Sequence, residues 1–254
     1  MTSDPEPRVD STLSKGLAVL EHLSAARTSM GVSELSRALG LTKSNTFRLL
    51  QTLRALGYVR HEADKPYSAT LKTWQVGRAA VENLNLRSVA APWMDYLSEQ
   101  TGETIYLAVR NALEVIYIDK RESQKAIRSW NPIGGTAPIY CVGTGKALLA
   151  ADYADLRPRL PKTLKAYTDQ TVTDLAQLDA DMEAVRLRGH AIDQGEFRHK
   201  IYSFGAVIVL PDGASAGALG VSVPNVNLEE GDIARIGDLV QHAATAVSEA
   251  LERL

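Results

Sequence analysis

The chain has 254 residues, enough for two domains, and its 45% hydrophobic and 23% charged composition is ordinary for a globular protein. The single cysteine, Cys141, excludes an internal disulfide and any multi-cysteine zinc site. No apolar run approaches the roughly 18 residues of a membrane span, and the polar, acidic start does not have the pattern of a signal peptide. We therefore expect a cytoplasmic protein with no membrane partner.

Charge is distributed unevenly along the chain. Residues 1–75 hold ten Lys or Arg against seven Asp or Glu, whereas residues 76–254 hold 18 against 23. Within residues 31–60 the only acid is Glu34, against five cations. A small, local basic patch suits site-specific DNA binding, because phosphate contacts then supply affinity while a few side chains read bases.

The first two helices are predicted from leucine spacing and capping residues. Residues 12–26 form the first, behind a cap at Asp10 or Ser11. The second begins near a cap at Ser33 and ends at Gly40, whose backbone can take the left-handed conformation.

A third helix follows after a tight turn. Thr42 caps it, Gly57 ends it, and Phe47, Leu50 and Leu53 are predicted to face the core. This arrangement of two short helices is the geometry with which a protein lays a helix in the major groove of DNA.

The outer face of the third helix carries the predicted DNA contacts. Arg48 is expected to read guanine and Asn45 adenine, because each can make two hydrogen bonds to its base. Lys43 and Ser44 are better placed for phosphates. The predicted contacts on this helix are Lys43, Ser44, Asn45, Thr46, Arg48 and Thr52. The alternative is a solvated face of an amphipathic helix, or a helix pair that binds only protein.

A two-stranded wing is predicted next. Residues 58–61 alternate as a strand, residues 64–66 form a turn, and residues 67–70 return. Lys65 at the tip could touch the DNA backbone or minor groove, or it could lie in a solvent-exposed turn.

The wing completes a predicted DNA-binding domain of residues 1–76. A linker helix is expected over residues 77–91, either as a dimer contact or as a spacer. Pro92 suits the first turn of a further helix, because its missing N–H costs nothing there. Residues 92–254 form the second predicted domain.

Strands and helices alternate irregularly in the second domain. Strands in its middle with helices at both ends favour an α+β fold. The predicted strands are residues 104–110, 114–120, 126–130, 204–210 and 216–223, and the predicted helices are residues 147–151, 174–188 and 229–253.

The glycine-rich segment at 143–146 does not match a nucleotide site. A P-loop would need other residues in place of Tyr140 and Ala147, and a dinucleotide fingerprint would need glycine in place of Leu148. The exposed amides of a helix N-terminus at Gly143 and Thr144 could still bind a carboxylate, or could form a tight turn with no ligand. We expect no cofactor.

An enzyme would recruit Asp193, Glu196 and His199 as acid and base. The chain, however, contains no HExxH pair and no G-x-S-x-G elbow. We expect no catalytic residue and no metal site.

Four motifs in order resemble the IclR family of bacterial transcription regulators. They are V-D-S-T-L-S-K-G-L-A-V-L from 9, S-E-L-S-R-A-L-G-L-T-K-S-N-T-F-R-L-L from 33, G-T-G-K-A-L-L-A from 143, and D-Q-G-E-F from 193. The resemblance spans about residues 8–251. It implies a winged helix-turn-helix domain, a linker helix and a GAF-like effector domain. It also implies a homodimer, commonly paired into a tetramer, on palindromic double-stranded DNA.

The resemblance further implies where an effector binds. The matching positions are Gly143, Thr144, Asp193, Ser203, Gly220 and Ser222. Position 203 is often cysteine in the family, and Gly220 replaces a serine of some members, so no particular effector is transferred. Trp130, Tyr140 and Phe204 lie beside this predicted pocket and would suit a flat aromatic acid, although aromatics at such positions also serve the core.

The resulting hypothesis is a ligand-responsive transcriptional regulator, a repressor of a catabolic operon, controlled by an aromatic or keto acid. The alternatives are an activator of the same family, a small-acid-processing enzyme, and a protein-interaction module.

Overall fold

The computed structural model describes residues 10–26, 28–61, 66–82 and 86–253, with no side chains described for residues 78–82. The chain divides into two compact units, residues 1–83 and residues 84–254. The predicted wing tip, Lys65, lies outside the described residues.

The first unit is a helix-turn-helix with a small wing, which confirms the predicted fold. Its elements are α1 (Ser11–Ala25), α2 (Val32–Ala38), α3 (Lys43–Ala55), β1 (Val59–Arg60), β2 (Ser68–Ala69) and α4 (Leu71–Glu82). The two strands pair antiparallel, and a further bridge joins Met30 to Tyr67. The wing is thus attached by backbone hydrogen bonds to the segment before α2.

Local signals fix the ends of these helices. Asp10 caps α1 by accepting from two backbone amides, at 3.0 and 2.8 Å, and Thr42 caps α3 by accepting from the amide of Asn45. Gly40 adopts a φ of 63° at the turn between α2 and α3. The predicted cap at Ser33 is wrong, because Gly31 takes that position and Glu34 reaches back to its amide.

The core stripe of α3 differs from the predicted one. Thr46, Leu49, Leu50 and Leu53 are buried, at helical spacing, whereas Phe47 is 48% exposed. Successive residues are turned by about 100°, so the side chain one step beyond Thr46 leaves the stripe. The prediction that Phe47 faces the core is therefore wrong.

The second unit is an α+β domain, as predicted. Its helices are α5 (Leu86–Thr101), α6 (Gly143–Ala151), α7 (Tyr153–Leu156), α8 (Leu175–Arg188) and α9 (Asp232–Leu251). Its strands are β3 (Thr104–Asn111), β4 (Glu114–Arg121), β5 (Thr136–Pro138), β6 (Ala191–Gln194), β7 (Ile201–Val209) and β8 (Ser215–Pro224).

Three local predictions need correction here. The segment 126–130 is not a strand, and β5 lies instead at Thr136–Pro138. The strand β6 was not predicted. Pro92 lies inside α5 rather than in its first turn, on an exposed side of the helix.

The six strands form one antiparallel sheet in the order β5-β4-β3-β8-β7-β6. Helices α5 and α9 pack against each other and on the sheet, and α6 and α8 form a second packed pair. The N-terminus of α6 lies over β7 and β8, which places it beside the candidate ligand site.

Candidate functional site

The candidate DNA-binding surface is the outer side of α3. Lys43, Ser44 and Arg48 are exposed there, and Asn45 is half-buried. Among the described residues, none forms an ion pair or a side-chain hydrogen bond with the guanidinium of Arg48. A cation that no neighbour holds can turn toward a phosphate or a base edge at little cost.

On α3, two of the predicted DNA contacts already form side-chain hydrogen bonds within the protein. Thr46 is completely buried and its hydroxyl donates to the carbonyl of Thr42 at 3.0 Å. It belongs to the core, and we leave it out of the proposed DNA contacts. The hydroxyl of Thr52 donates to the carbonyl of Arg48 at 3.1 Å, although the residue is exposed.

In the second unit, strand register gathers polar side chains into one row. Asp193 on β6 pairs with Ser203 on β7, which pairs with Ser222 on β8, which in turn pairs with Thr104 on β3. Directly opposed residues of an antiparallel sheet point to the same face. Four residues far apart in sequence are thereby aligned across four strands.

Asp193 ends this row on the edge strand β6 and is only 3% exposed. The hydroxyl of Ser203 donates to its Oδ2 at 2.7 Å, and the amide of Glu196 donates to its Oδ1 at 2.6 Å. Burial raises the pKa of Asp193 to about 7, against the lowering effect of these two hydrogen bonds. Near neutral pH the carboxyl therefore exists in both protonation states.

The N-terminus of α6 is closed against the sheet. The amide of Gly143 donates to Ser203 Oγ at 2.9 Å. A Cβ at Gly205 would lie 2.2 Å from the carbonyl oxygen of Gly143, and one at Gly145 would lie 2.4 Å from that of Ile139. The glycines of this segment thus permit close backbone packing, and the Gly143 amide predicted to hold a carboxylate is already occupied.

A small cavity of about 30 Å³ lies over the polar row. Five of the eight predicted effector residues line it, namely Thr144, Asp193, Ser203, Gly220 and Ser222. The other lining residues are Tyr106, Tyr117, Ser129, Asn131, Val142, Phe197, Arg198 and Ile201. Space of this size holds about two water molecules, so the cavity is small.

Trp130 and Tyr140 are not among the residues that line the cavity. The Trp130 ring packs under the Lys120 ammonium, 5.3 Å from its centroid, and is 47% exposed. The Tyr140 hydroxyl donates to the carbonyl of Lys165 at 2.8 Å. We leave both out of the proposed ligand contacts, and Phe204, which is fully buried, belongs to the core.

Arg198 lines the cavity, and no sequence motif identifies it as a site residue. Its guanidinium donates to the carbonyl of Trp130 at 2.9 Å and to Asn131 Oδ1 at 2.7 Å. The amide of Asn131 donates in turn to the hydroxyl of Tyr106 at 2.7 Å. These bonds tie the segment after β6 to the loop after β4, and they set a fixed positive charge at the cavity wall.

Behind α6 lies a buried charge cluster that the sequence pattern did not indicate. The ammonium of Lys146 is 2.6 Å from a carboxylate oxygen of Glu196 and 2.6 Å from one of Asp181, and it donates to the carbonyl of Ile192 at 3.0 Å. Burial opposes the charge, but the two carboxylates outweigh it and raise the pKa of Lys146. The lysine of G-T-G-K and the glutamate of D-Q-G-E-F are therefore one structural pair.

The hypothetical acid–base trio is not assembled. His199 is exposed and its Nδ1 lies 3.4 Å from Asp169, and Glu196 is bound to Lys146. In the described part of the chain, no group of three or more His, Cys, Asp or Glu could hold a metal ion. Within the described ranges, none of the helices combines the length and the apolar composition of a membrane span.

Comparison with known proteins assigns both units. The sequence model of the IclR helix-turn-helix domain matches residues 12–63, and that of the C-terminal domain of the bacterial transcriptional regulator IclR matches residues 78–249. The HTH-type transcriptional repressor AllR of Escherichia coli strain K12 is 32% identical over 242 residues, which are 94% of this chain and 89% of AllR.

Solved structures share the fold over nearly the full length of the chain. The IclR protein of Thermotoga maritima is 26% identical with a TM-score of 0.77, covering 95% of this chain and 98% of its own. An IclR homologue of Microbacterium hydrocarbonoxydans, crystallised with 4-hydroxybenzoate, has a TM-score of 0.83 over 96% of this chain and 100% of its own. At 22% identity the second likeness concerns the fold alone.

Proposed function

The chain belongs to the IclR family of bacterial transcriptional regulators, and from that premise we propose that it is a cytoplasmic repressor of a catabolic operon that releases its operator when a small organic acid binds. The observation that carries the proposal is the presence of an exposed basic helix face in one unit and of a cavity with a polar floor in the other. A role as activator would use the same two sites.

We assign DNA recognition to the exposed side of α3. Arg48 and Asn45 are proposed to read bases, and Lys43 and Ser44 to bind phosphates, because the first turns of a recognition helix are the part that enters the groove. Thr52 lines an apolar cleft of this unit and its hydroxyl already donates to the carbonyl of Arg48, so we leave it out of the proposed DNA contacts. Lys65 remains a candidate at the wing tip.

A palindromic operator calls for a two-fold dimer, and the first unit offers a surface for one. An apolar cleft of about 600 Å³ lies between α1, α3 and α4. Its rim includes Leu13, 64% exposed, Leu17, 48% exposed, and Leu56, 54% exposed. Covering such a face by a second copy would remove it from water, and we propose a homodimer on this basis, with pairing into a tetramer as in the family.

We propose that the effector occupies the cavity over Asp193. Thr144 and Ser222 line it and carry hydroxyls, and Arg198 supplies a positive charge at its wall. A protonated Asp193 could donate to a ligand carboxylate, whereas its anion would repel one. An acid is therefore the class of ligand that this lining favours.

The cavity must widen for either class of acid, and a short-chain keto acid requires less widening than an aromatic acid. A benzene-sized ligand needs about 150 Å³, several times the volume present, so an aromatic acid would have to displace Phe197 and Arg198. The aromatic alternative is supported by the structural relative that was crystallised with 4-hydroxybenzoate.

We propose that the effector controls operator binding through thermodynamic linkage between the two binding sites. An effector that binds two arrangements of the dimer unequally shifts their populations, and a coupling of about 1–3 kcal/mol changes operator affinity by about 5- to 150-fold. Because the coupling is reciprocal, operator DNA must weaken the binding of the effector by the same factor.

The test is a titration of the full chain with fluorescent DNA from upstream of its own gene, repeated with short keto acids and with aromatic acids. We expect salt-sensitive, sequence-specific binding that one acid class weakens. Thr144→Val, which keeps the shape but removes a cavity hydroxyl, should impair the response to acid, whereas Thr245→Val on the exposed side of α9 should not. DNA binding that no acid alters would contradict the effector proposal.

We assign no catalytic role to Asp193, Glu196 or His199. Incubating the chain with each acid that binds, and following the acid by chromatography, tests this assignment. Turnover that Asp193→Asn abolishes would overturn it.

A further inference from the structure

The recognition helix carries one large apolar side chain that the proposed contacts do not use. Phe47 is 48% exposed, although it lies in the middle of a polar face. Lys43 and Ser44, four and three residues before it, are its neighbours on the helix surface, and so is Gln51, four residues after it. At this position on the helix surface the phenyl ring is accessible to whatever binds the outer face of α3.

The apolar cleft of the first unit does not provide that partner. The cleft is lined on α3 by Leu49, Thr52, Leu53 and Leu56. Leu49 follows Phe47 by two residues, so it points about 160° away around the helix axis. Phe47 therefore lies on the far side of α3 from the surface proposed for the dimer.

The surroundings of Phe47 match DNA rather than another protein surface. Lys43, Arg48 and Arg54 are exposed on the same helix, and the only acid within 31–60, Glu34, is turned to the amide of Gly31. A surface with this charge attracts a polyanion. In the major groove the only apolar group is the 5-methyl of thymine, and a phenyl side chain can contact it.

We propose that Phe47 reads a thymine in each operator half-site by packing on its 5-methyl group. The inference rests on the proposed DNA-binding function and adds a specificity residue to it. It divides recognition on α3 between hydrogen bonds from Arg48 and an apolar contact from Phe47, whose side chain lies about 100° away around the helix axis.

Uracil is the direct probe, since it differs from thymine only by that methyl group. After footprinting locates the operator upstream of the chain's own gene, each thymine of the half-site is replaced in turn by uracil, in both half-sites together. We expect one position at which the wild-type chain loses about threefold to fivefold in affinity per half-site, the value of one buried methyl, and thus about 10- to 25-fold per palindrome.

Two variants make the test specific. Phe47→Ala should bind thymine and uracil operators equally at that position, whereas Arg48→Ala, weaker overall, should keep the full uracil penalty. Phe47→Leu, which keeps an apolar side chain, should retain part of it. Circular dichroism checks that α3 is folded in each variant.

The result that overturns the inference differs from the one that overturns the function. Specific, salt-sensitive binding in which no uracil changes affinity by more than twofold would refute the thymine contact alone. So would a uracil penalty that persists in Phe47→Ala. Absence of salt-sensitive DNA binding altogether would refute the proposed function itself.

Discussion

The outer face of α3 and the network around Asp193 use polar residues in opposite ways. On α3 the charged groups are exposed, and none of the described residues pairs with Arg48. Around Asp193 the groups are buried and bonded, with Lys146 2% exposed and Glu196 6% exposed. Exposed groups can be changed without a folding cost, whereas buried charges cannot. We therefore expect substitutions on the outer face of α3 to change DNA recognition without changing stability. Substitutions around Asp193 should change stability together with ligand binding.

The largest expected effect lies in the buried cluster. Lys146→Met leaves the carboxylates of Glu196 and Asp181 without their cation, and such a change costs about 3–5 kcal/mol. Denaturant unfolding followed by tryptophan fluorescence measures it. Lys162→Met, at an exposed position, is the matched control. Adding Glu196→Gln to the Lys146→Met variant should recover part of the stability, and a cost below about 1 kcal/mol would show that the cluster is not a stabilising unit.

Arg48→Ala should show the opposite pattern. We expect operator affinity to fall by about 1–3 kcal/mol, with relaxed preference at one base pair, while the unfolding midpoint stays unchanged because the side chain is exposed. Fluorescence anisotropy on operator and random DNA measures the first quantity. An equal decrease on both DNAs would make Arg48 a phosphate contact instead.

The same contrast explains what the sequence could predict. The helix-turn-helix follows from local signals, namely a cap at Thr42, a turn glycine at Gly40 and leucines at helical spacing, and each acts within a few residues. Even in this unit the prediction for Phe47 is wrong, because an aromatic residue next to a core stripe can face the core or the solvent.

The effector site depends on register, which is not a local property. β6 has only four residues, too few for a clear alternation, so the pairing of Asp193 with Ser203 was not predictable from pattern. Likewise, Lys146 and Glu196 are 50 positions apart, and nothing in either motif alone indicates an ion pair. The family resemblance identifies five of the residues that line the cavity, because the motifs of a family reflect contacts between distant parts of the chain. It does not identify Arg198.

The raised pKa of Asp193, which is caused by burial, predicts how the free energy of unfolding depends on pH. The folded state holds this proton up to about pH 7, whereas the unfolded state loses it near 3.8. The folded state thus binds more protons in between, and the free energy of unfolding should fall as pH rises through that window, by at most about 1.4 kcal/mol per pH unit.

Asp193→Asn removes the titration and keeps the hydrogen bonds, because Ser203 Oγ can accept from the new amide. Relative to wild type, the variant should gain stability from pH 4 to pH 7 and change no further above. Asp155→Asn, at an exposed residue, is the control. A wild-type minus variant difference that is flat with pH would place the Asp193 pKa near its ordinary value.

The smallest expected effect distinguishes the role of Lys43 from that of Arg48, a second exposed cation on the same helix. Lys43→Gln should weaken binding to all DNA sequences alike and lower the slope of log affinity against log salt by about 0.9 for each phosphate that the variant no longer neutralises. Stability should not change, since Lys43 is exposed. If Lys43→Gln altered base preference as Arg48→Ala does, the first turn of α3 would lie deeper in the groove than proposed. Phosphate binding would then fall to Ser44 and to the backbone amides at the start of the helix, which are oriented to bind anions.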